Sequence, residues 1–485
     1  MANVEGHTDR TSLRDFLEIR YEQLEEMNLE AKQQRLERVP VDKVREQRVK
    51  YLTDEKRIKA VTVCFADLEG RLHMLDYDKK FLLRSADNLT FDGSSIRGFS
   101  AQHESDLRLS IDWPAFWWMP ADVFGPGKVL VFADVLGQDG SPYSADLRAR
   151  LKAYTADLFT KQQMTANVAM EIEGFLFRGR DAEQHYPEKN AFEFISTGGY
   201  YHSLPGDDLR RFIDAAAEAQ RAMGFANEKD HPEVAPSQFE MNYSYAEAVV
   251  AADQVLLYKL LCRQVAQNLG MTACFLPKPV TGVNGSGMHT NISLSVGGKN
   301  TFWDIDGESG LSASGWDFVD RLLNSASDLC LVLNASVNAY RRLDPHYEAP
   351  NQIKASASDR GSMVRIPIGN ERSARIEVRS VAPDANPFMA VYSLLRTGLE
   401  GPQSDPDPNK RSRTRFLPDN IHDALRLFKG SRMIAEMLGE GVQARYSEVK
   451  LASAERCPKA LGSLIKRAEV QFHHEITNQY LWNRF

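Results

Sequence analysis

Apolar residues recur at helical spacing near the amino terminus, within a stretch dense in strong helix formers. This pattern predicts a helical segment from about Ser12 to Arg57, and Pro40 predicts a restart into a second helix that runs through Lys50. The extension is either a solvated, charged face packed on the body or an oligomer contact, and we slightly favour the contact. The spaced apolar residues are Leu13, Phe16, Leu17, Tyr21 and Leu24.

The pattern changes at Lys59, where β-branched residues flank the turn sequence DLEG at residues 67–70. This arrangement predicts a β-hairpin. A second apolar run from Lys128 to Val135 follows the turn GPG and predicts another strand. We therefore expect a small, sheet-rich domain that ends near Gly140.

The rest of the chain alternates longer helical patterns with short strand patterns. Residues 144–164 predict a long helix, and the polar, Pro-rich residues 400–415 predict an exposed loop. The predicted organisation is α+β, with a helical extension over 1–57, a small sheet-rich domain over 58–140 and a large α+β domain over 141–485.

Composition narrows the class of protein. The 485 residues carry 59 Lys and Arg against 66 Asp and Glu, a net charge of −7, which argues against a nucleic-acid surface as the main function. The five cysteines form no Cys-x-x-Cys pair, and no stretch approaches the ~20 apolar residues of a membrane span. We expect a cytoplasmic protein without a membrane partner.

Two pairs of glutamates could hold a metal ion. Glu171 and Glu173 follow an apolar run, and on a strand both carboxylates would face the same side. Glu233 and Glu240 flank a Pro-Ser turn, and a hairpin there would bring them together. Like charges side by side are costly unless cations neutralise them. Each pair alone is weak evidence, because exposed glutamates on strands and hairpins are common.

A glycine-rich run and several arginines extend this chemistry. The sequence NGSGMH, from Asn284 to His289, allows close backbone approach to a ligand and ends in a candidate metal ligand. Glu377 alternates with Arg375 and Arg379 on one predicted strand, which suits an anion held beside a metal. Oxygen ligands select Mg²⁺ or Mn²⁺, and arginine beside such a metal is what phosphoryl transfer from ATP requires. The residues alone thus indicate a metal-dependent phosphoryl-transfer enzyme with an anionic co-substrate.

The order of the motifs resembles the glutamine synthetase family over most of the chain from Lys59 to Pro402. The matching segments are FDGSSIRGF (91–99), ESD (104–106), EIEGFLF, GGY (198–200), EVAPSQFE, FLPKPVTGVNGSGMH, NAYRRLDPHYEAP and VRIPIGNERSARIEVRSVAPDANPF. The resemblance implies a β-grasp-like domain before the catalytic α+β domain. It also implies an active site shared between neighbouring subunits and a homo-oligomer of stacked rings, commonly a dodecamer of two hexamers.

The resemblance further implies a reaction and its residues. ATP would phosphorylate the γ-carboxylate of glutamate, and ammonium would supply the amine that displaces phosphate. Glu348 would lie on a flap that excludes water. By this resemblance one Mg²⁺ or Mn²⁺ would be bound by Glu173, Glu233 and Glu240, and a second by Glu171, His289 and Glu377. Glutamate would be bound by Asn284, Gly285, Arg342 and Arg379, and the phosphates or the nucleotide would be contacted by Arg360, Arg365, Arg375, Asn291 and Ser293. The ammonium site would be formed by Asp92, Ser95, Tyr200, Glu233 and Glu348, and Asp92 would take the proton.

Three departures from the family pattern stand out. Asn291 replaces a histidine common in bacterial members, Pro232 replaces one of two histidines before Glu233, and the segment that some members adenylylate is not found. Three hypotheses follow: a glutamine synthetase, a γ-glutamyl ligase for a larger amine such as methylamine, a polyamine or an aniline, and a non-catalytic relative. Asp92, Ser95 and Tyr200 favour ammonia, and the filled metal positions argue against the non-catalytic relative.

Overall fold

The computed structural model describes residues 19–189, 191–202, 206–343, 349–404 and 414–455. The predicted helix start at Ser12 and the predicted flap residue Glu348 lie outside these ranges. In the described part no helix is both long enough and apolar enough to cross a membrane.

The amino-terminal extension is helical, and Pro40 stands immediately before its second helix, as predicted. The buried Asn28 joins it to both parts of the body. Its side-chain amide donates to the backbone oxygens of Trp118 and Ala222, each at 2.9 Å, and accepts from the Trp118 amide. The extension is therefore packed on the body of its own chain. Its helices are α1 (Tyr21–Leu36) and α2 (Val41–Asp54).

The first sheet has five strands in the order β2-β1-β5-β4-β3, with β1 and β5 parallel and the other pairs antiparallel. The predicted hairpin is its first pair. Gly70 closes the hairpin turn at φ +80°, and a Cβ there would lie 2.6 Å from Cα of Asn386, so only glycine allows this approach to the second domain. The elements are β1 (Ala60–Ala66), β2 (Leu72–Asp78), α3 (Lys79–Ser85), β3 (Leu89–Asp92), β4 (Asp106–Trp118), α4 (Ala121–Phe124) and β5 (Val129–Leu136).

The second domain is built on a ten-stranded sheet whose main path runs β13-β14-β15-β11-β6-β8-β7. Strand β6 is the centre of this sheet, since it pairs with β8, β9, β10 and β11. The strands are β6 (Met164–Arg178), β7 (Asn227–Pro232), β8 (Gln238–Tyr243), β9 (Ala246–Glu247), β10 (Met271–Cys274), β11 (Met288–Val296), β12 (Lys299–Asn300), β13 (Gln352–Ser356), β14 (Ser362–Arg365) and β15 (Ile376–Val378).

Helix α8 packs against β6 and is buried along most of its length. The long helix predicted over 144–164 is α5. At the start of the exposed loop predicted over 400–415, α12 ends at Glu400, and Gln403 and Ser404 are exposed. Residues 405–413 of the predicted loop lie outside the described part. The helices are α5 (Leu147–Gln162), α6 (Ala182–Lys189), α7 (Asp208–Ala222), α8 (Ala248–Asn268), α9 (Ala313–Asn324), α10 (Ala326–Leu333), α11 (Val337–Arg342), α12 (Pro387–Glu400), α13 (Ile421–Gly430), α14 (Arg432–Leu438) and α15 over 440–455.

A buried guanidinium joins the two domains. Arg148 on α5 donates to Asp253 on α8 at 2.7 Å, to Asp134 on β5 at 2.8 Å and to Asp112 on β4 at 2.7 Å. Arg35 of the extension reaches the same Asp253 at 3.2 Å. Three carboxylates thus converge on one side chain that is only 1% exposed, so removing it would leave buried charges unpaired.

We expect Arg148→Met to lower the free energy of unfolding by about 3–5 kcal/mol, the usual cost of removing one partner of a buried ion pair. Denaturant titration followed by tryptophan fluorescence measures the change. Arg432→Met is the control, because Arg432 is 91% exposed on α14 and its loss should cost under about 0.5 kcal/mol. Equal midpoints for the two variants would show that the junction does not depend on Arg148.

Candidate active site

Strand pairing on the second sheet aligns the predicted metal ligands. In the antiparallel register Glu171 lies opposite His289, and Glu173 lies opposite Glu240. Directly opposed side chains have Cβ atoms about 4.5–5.5 Å apart. Since residues two apart on a strand share a face, both glutamates of β6 point into the same cavity, as the sequence predicts.

The first group consists of Glu171, His289 and Glu377, whose candidate ligand atoms all lie within 4.8 Å of one another. His289 Nδ1 is 3.7 Å from Glu171 Oε2 and 3.9 Å from Glu377 Oε1. Burial opposes ionisation of Glu171, but hydrogen bonds and charge from His289, with help from Asn291, outweigh it and lower its pKa to about 2. The structure thus brings together one of the two predicted metal-binding sets.

The second group consists of His231, Glu233 and Glu240, again within 4.8 Å. His231 Nδ1 is 3.6 Å from Glu233 Oε1, and its Nε2 is 3.8 Å from Glu240 Oε1. The predicted hairpin forms, but its register places His231, rather than Glu233, opposite Glu240. Sequence reasoning missed this histidine, although its spacing of two from Glu233 was an available signal.

Glu173, predicted to belong with the second group, lies between the two groups. Its Oε1 is 3.8 Å from His289 Nε2, and its Oε2 accepts a hydrogen bond from the Gly287 amide at 2.8 Å. Its negative charge still acts on Glu233 and Glu240. A carboxylate in this position can contribute to either group.

The second group consists of buried carboxyls that need a cation before both can ionise. Burial and the charge of Glu173 raise the pKa of Glu233 to about 8, and they raise the pKa of Glu240 well above its usual range. Burial lowers the pKa of His231, and its Nε2 has no hydrogen-bond partner among the described residues. Carboxylate oxygens with single imidazoles suit Mg²⁺ or Mn²⁺ better than a thiolate-selective metal. These donors fit divalent metal ions at both groups.

The same cavity, which has a volume of about 360 Å³, is also lined by cationic side chains. Arg342 is buried, which lowers its pKa to about 10, and it donates from Nη2 to the Arg379 oxygen at 2.9 Å. Arg342 Nη1 and Arg379 Nε are buried donors without partners among the described residues. Such donors indicate an anionic ligand, because an unmade buried hydrogen bond is costly. The arginines that line the cavity are Arg342, Arg360, Arg365, Arg375 and Arg379.

The glycine-rich run forms the floor of the same cavity, where Asn284 and Gly285 line it. A Cβ on Gly285 would lie 2.6 Å from the Pro277 oxygen and 2.9 Å from Arg342 Cγ. A Cβ on Gly287 would lie 2.7 Å from His289 Nε2. The glycines therefore allow the close approach that the sequence predicts.

An adjoining cavity of about 330 Å³ contains the predicted nucleotide residues Asn291, Ser293 and Arg375. Asn291 donates to Glu171 at 3.1 Å and accepts from Arg375 Nε at 2.9 Å, so it links this cavity to the first metal-binding group. Tyr245 also lines it with 61% of its surface exposed. An exposed aromatic ring suits stacking on a planar base. Nothing in the local sequence distinguished this tyrosine.

Two predicted residues lie away from the cavity of their own chain. Asp92 and Ser95 are on the first domain, where Asp92 accepts from the Ser95 hydroxyl at 2.6 Å and from the Ser94 amide at 2.8 Å. These hydrogen bonds lower the pKa of Asp92, and the bond from the Ser95 hydroxyl has the largest effect. Tyr200, by contrast, does line the cavity, and Glu348 lies outside the described residues.

A β-grasp sheet followed by a domain with clustered carboxylates, imidazoles and arginines defines a class of metal- and ATP-binding ligases. Two family models match the chain: "Glutamine synthetase, beta-Grasp domain" over residues 57–138 and "Glutamine synthetase, catalytic domain" over residues 144–467. The chain therefore belongs to the glutamine synthetase family.

Similar proteins agree with this assignment. A glutamine synthetase of Methanosarcina mazei is 36% identical over 411 residues, which are 81% of this chain and 90% of that protein. A glutamine synthetase of Staphylococcus aureus is 35% identical over 425 residues, which are 83% of this chain and 93% of that protein. Among solved structures, a GmaS/ADP complex superposes on this chain with a TM-score of 0.74 at 27% sequence identity. A GmaS structure without ligand superposes with a TM-score of 0.73 at 28% identity. Each of the two comparisons covers 87% of this chain and 98% of the other chain.

We expect divalent-metal binding to release protons, because a carboxylate ligand must be ionised. With the pKa of Glu233 at about 8, affinity for Mg²⁺ should rise by up to about tenfold per pH unit between about pH 6 and pH 8. The raised pKa also means that this group's contribution to the stability of the metal-free protein is full below its ordinary pKa of 4.5 and is lost as pH rises through 8.

Calorimetry in buffers of different ionisation enthalpy measures the released protons, and thermal melts of the metal-free protein measure the stability. Glu233→Gln should make both pH dependences shallower, with Glu240 still titrating, whereas the exposed control Glu436→Gln on α14 should leave them unchanged. Metal affinity that is constant between about pH 6 and pH 8 would contradict the argument.

Proposed function

We propose that this protein is an ATP-dependent glutamate–ammonia ligase that makes glutamine through γ-glutamyl phosphate. One observation carries the proposal: two carboxylate–histidine groups and buried, unpartnered arginine donors share one cavity of about 360 Å³. Glutamate is an anion of suitable size for that cavity. The names of the curated relatives support glutamine as the product.

Glutamate would bind to the buried arginine donors of the cavity. Arg342 Nη1 and Arg379 Nε each have a donor to offer to a carboxylate. Asn284 and Gly285 would complete its binding site from the glycine-rich floor. Burial strengthens these charge-assisted hydrogen bonds, since little water competes for the donors.

ATP would occupy the adjoining cavity, with its base on Tyr245 and its phosphates directed toward Arg375. The ADP of the solved GmaS complex supports a nucleotide in this family fold. Asn291 and Ser293 would contact the nucleotide, while Arg360 and Arg365 would stabilise the transferred phosphoryl group. Bound Mg²⁺ or Mn²⁺ would neutralise phosphate charge. Its ligands would be Glu171, His289 and Glu377 at one position and His231, Glu233 and Glu240 at the other, with Glu173 between them.

The reaction would proceed in two displacements. An oxygen of the γ-carboxylate attacks the γ-phosphorus of ATP, and ADP leaves. Ammonia then attacks the carbonyl carbon, and inorganic phosphate leaves with the carboxylate oxygen. Phosphorylation is required because a carboxylate has no adequate leaving group. We assign Glu348 to a flap that excludes water during the second step.

Asp92 and Ser95 would be supplied by another copy of the chain. Asp92 is exposed and lies outside the cavity of its own chain, as a residue delivered to a neighbour must. It would bind ammonium and accept its proton before attack. We therefore infer a ring-shaped homo-oligomer, a dodecamer of two hexameric rings.

The cysteines that the structure describes are buried and form no disulfide bond. Free thiols are typical of a reducing compartment, and we infer that the protein is cytoplasmic.

A second candidate is a γ-glutamyl ligase for an alkylated amine. Tyr200 and Tyr201 stack at the cavity with ring centroids 3.8 Å apart, and the His231 ring packs edge-on at 5.7 Å and 4.7 Å. Aromatic faces attract alkylammonium ions by cation–π interaction. The GmaS structures share this fold, whereas the relatives of higher identity bear the name glutamine synthetase.

The two candidates predict different amine specificity. With ATP, glutamate and a metal ion, we expect kcat/KM for ammonium to exceed that for methylamine by at least about tenfold, the discrimination expected of a pocket for one methyl group. Phosphate release with ammonium, methylamine, putrescine and aniline measures it. Tyr201→Phe is the matched variant, because it removes only the hydroxyl that accepts from Tyr200. Preference for a larger amine would replace the first candidate by the second, and no phosphate release with any amine would reject both.

We expect subunit mixing to restore activity. Asp92→Ala and Glu171→Ala should each be inactive alone, because one lacks the proton acceptor and the other a metal ligand. If a site combines residues of two copies, mixed rings contain some sites with both residues intact. Phosphate release after dissociation and reassembly measures this recovery, with each variant reassembled alone as the control. Full activity of a single-copy species would contradict a shared site.

A further inference from the structure

A cavity of about 560 Å³ lies where the first hairpin meets the second domain. Its walls come from the turn after β1, from α8, from the start of α11, from the segment before α12 and from α15. It shares no lining residue with the candidate active site. Its lining is about equally polar and apolar, with Leu72, Leu256, Leu260 and Val337 among the apolar members.

The cavity offers both charge signs at separate points. Lys259 Nζ donates to the Pro383 oxygen, which leaves two of its three protons for a ligand. Arg263 provides a second cation in the same cavity. Burial, together with the positive charge of Arg263, lowers the pKa of Lys259 to about 7. An anion bound beside Lys259 would therefore be favoured, because it would stabilise the charged form of the lysine. Asp384 presents Oδ1, a buried acceptor without a hydrogen-bond partner among the described residues.

The other charged groups of this lining are already paired. Glu69 accepts from Lys450 at 2.7 Å and lies 3.3 Å from Arg71. Among the described residues, the charged groups of this cavity that have no ion-pair partner are therefore Lys259, Arg263 and Asp384. Burial raises the pKa of Asp384, although Ser336 and Lys450 act against that shift, and Arg263 lies 5.6 Å from the centre of the Phe275 ring. An occupant that matches these three groups carries a negative end, a positive end and an apolar portion.

We propose that this cavity binds a small zwitterionic amino acid with a short apolar side chain. The ligand carboxylate would contact Lys259 and Arg263, and its ammonium would donate to Asp384 Oδ1. Its side chain would lie on the apolar part of the lining. The volume exceeds that of a valine- or leucine-sized molecule, so a few waters can accompany it.

The position of the cavity connects such a ligand with Arg342. Helix α11 begins at Val337 in this cavity and ends at Arg342 in the active site, a rise of about 9 Å. The charge of Asp384 acts on Arg342 as well as on Lys259. An ammonium placed on Asp384 would offset its negative charge and so strengthen the hold of Arg342 on an anion. This regulatory step rests on the proposed function, whereas binding itself does not.

The test uses the full chain and L-valine as the probe, with calorimetry in the presence of saturating glutamate and ADP. We expect valine to bind at millimolar concentration. Isovalerate lacks its ammonium and isobutylamine lacks its carboxylate, so each should bind at least about tenfold more weakly. Failure of valine to bind, as when a second copy fills the cavity, would overturn the proposal. Binding of either analogue as tightly as valine would also overturn it.

Variants locate the bound valine. Asp384→Asn keeps the shape and Arg263→Gln changes an exposed side chain, so both should fold; each should weaken valine binding about tenfold, with Arg432→Gln as the unchanged control. Undiminished binding in both variants, or valine binding that is tighter without glutamate than with it, would place valine elsewhere and overturn the proposal. In the active enzyme, valine should lower the KM for glutamate about two- to fivefold with little change in kcat. An unchanged KM would overturn the link to Arg342 alone.

Discussion

The pairing of β6 with β8 and β11 is the constraint on which the candidate site depends. Met170 and Ile172 on β6 are buried in the core beneath the sheet, so the alternating residues Glu171 and Glu173 must face the cavity. A slip of one residue would bury both carboxylates in the core and expose the apolar pair. The hydrophobic side of the strand thus specifies where the charged side points.

That register concentrates negative charge at a cost in stability. Arg365 and Arg379 form ion pairs with Glu377 at 2.7 Å and 2.6 Å. Their positive charge offsets the negative charge of the first group. Glu233 and Glu240 depend on His231, whose own pKa is lowered by burial. The demand for an external cation is therefore greatest at the second group. Functional sites commonly retain such unfavourable arrangements because activity requires them.

Sequence reasoning recovered the parts of the site that follow from local geometry. The alternation of Glu171 and Glu173 and the close approach at Gly285 are properties of a few neighbouring residues. The grouping of His289 with Glu377 came from the family resemblance, since strands 88 positions apart in the chain carry no local sign of their pairing. His231 shares a strand face with Glu233 by its spacing of two, but its position opposite Glu240 depends on the register between β7 and β8.

Long-range packing explains what the sequence could not show. Arg342 enters the cavity from the end of a six-residue helix, and Tyr245 reaches the adjoining cavity from the loop after β8. Neither position follows from periodicity, because each depends on how separate elements meet. The charged junction at Arg148 is similar: its carboxylates come from three elements and both domains.

Asp92 is exposed on the first domain, as the proposed sharing of the site between two copies requires. It ends β3, which lies at the edge of the first sheet, and the bonds from Ser94 and Ser95 keep its carboxylate ionised and oriented. An exposed carboxylate with a lowered pKa binds a cation but is a weak base. In the proposed oligomer, covering by another copy would desolvate Asp92 and raise its pKa. The contact that would complete the proposed ammonium site would thus also make Asp92 a better proton acceptor.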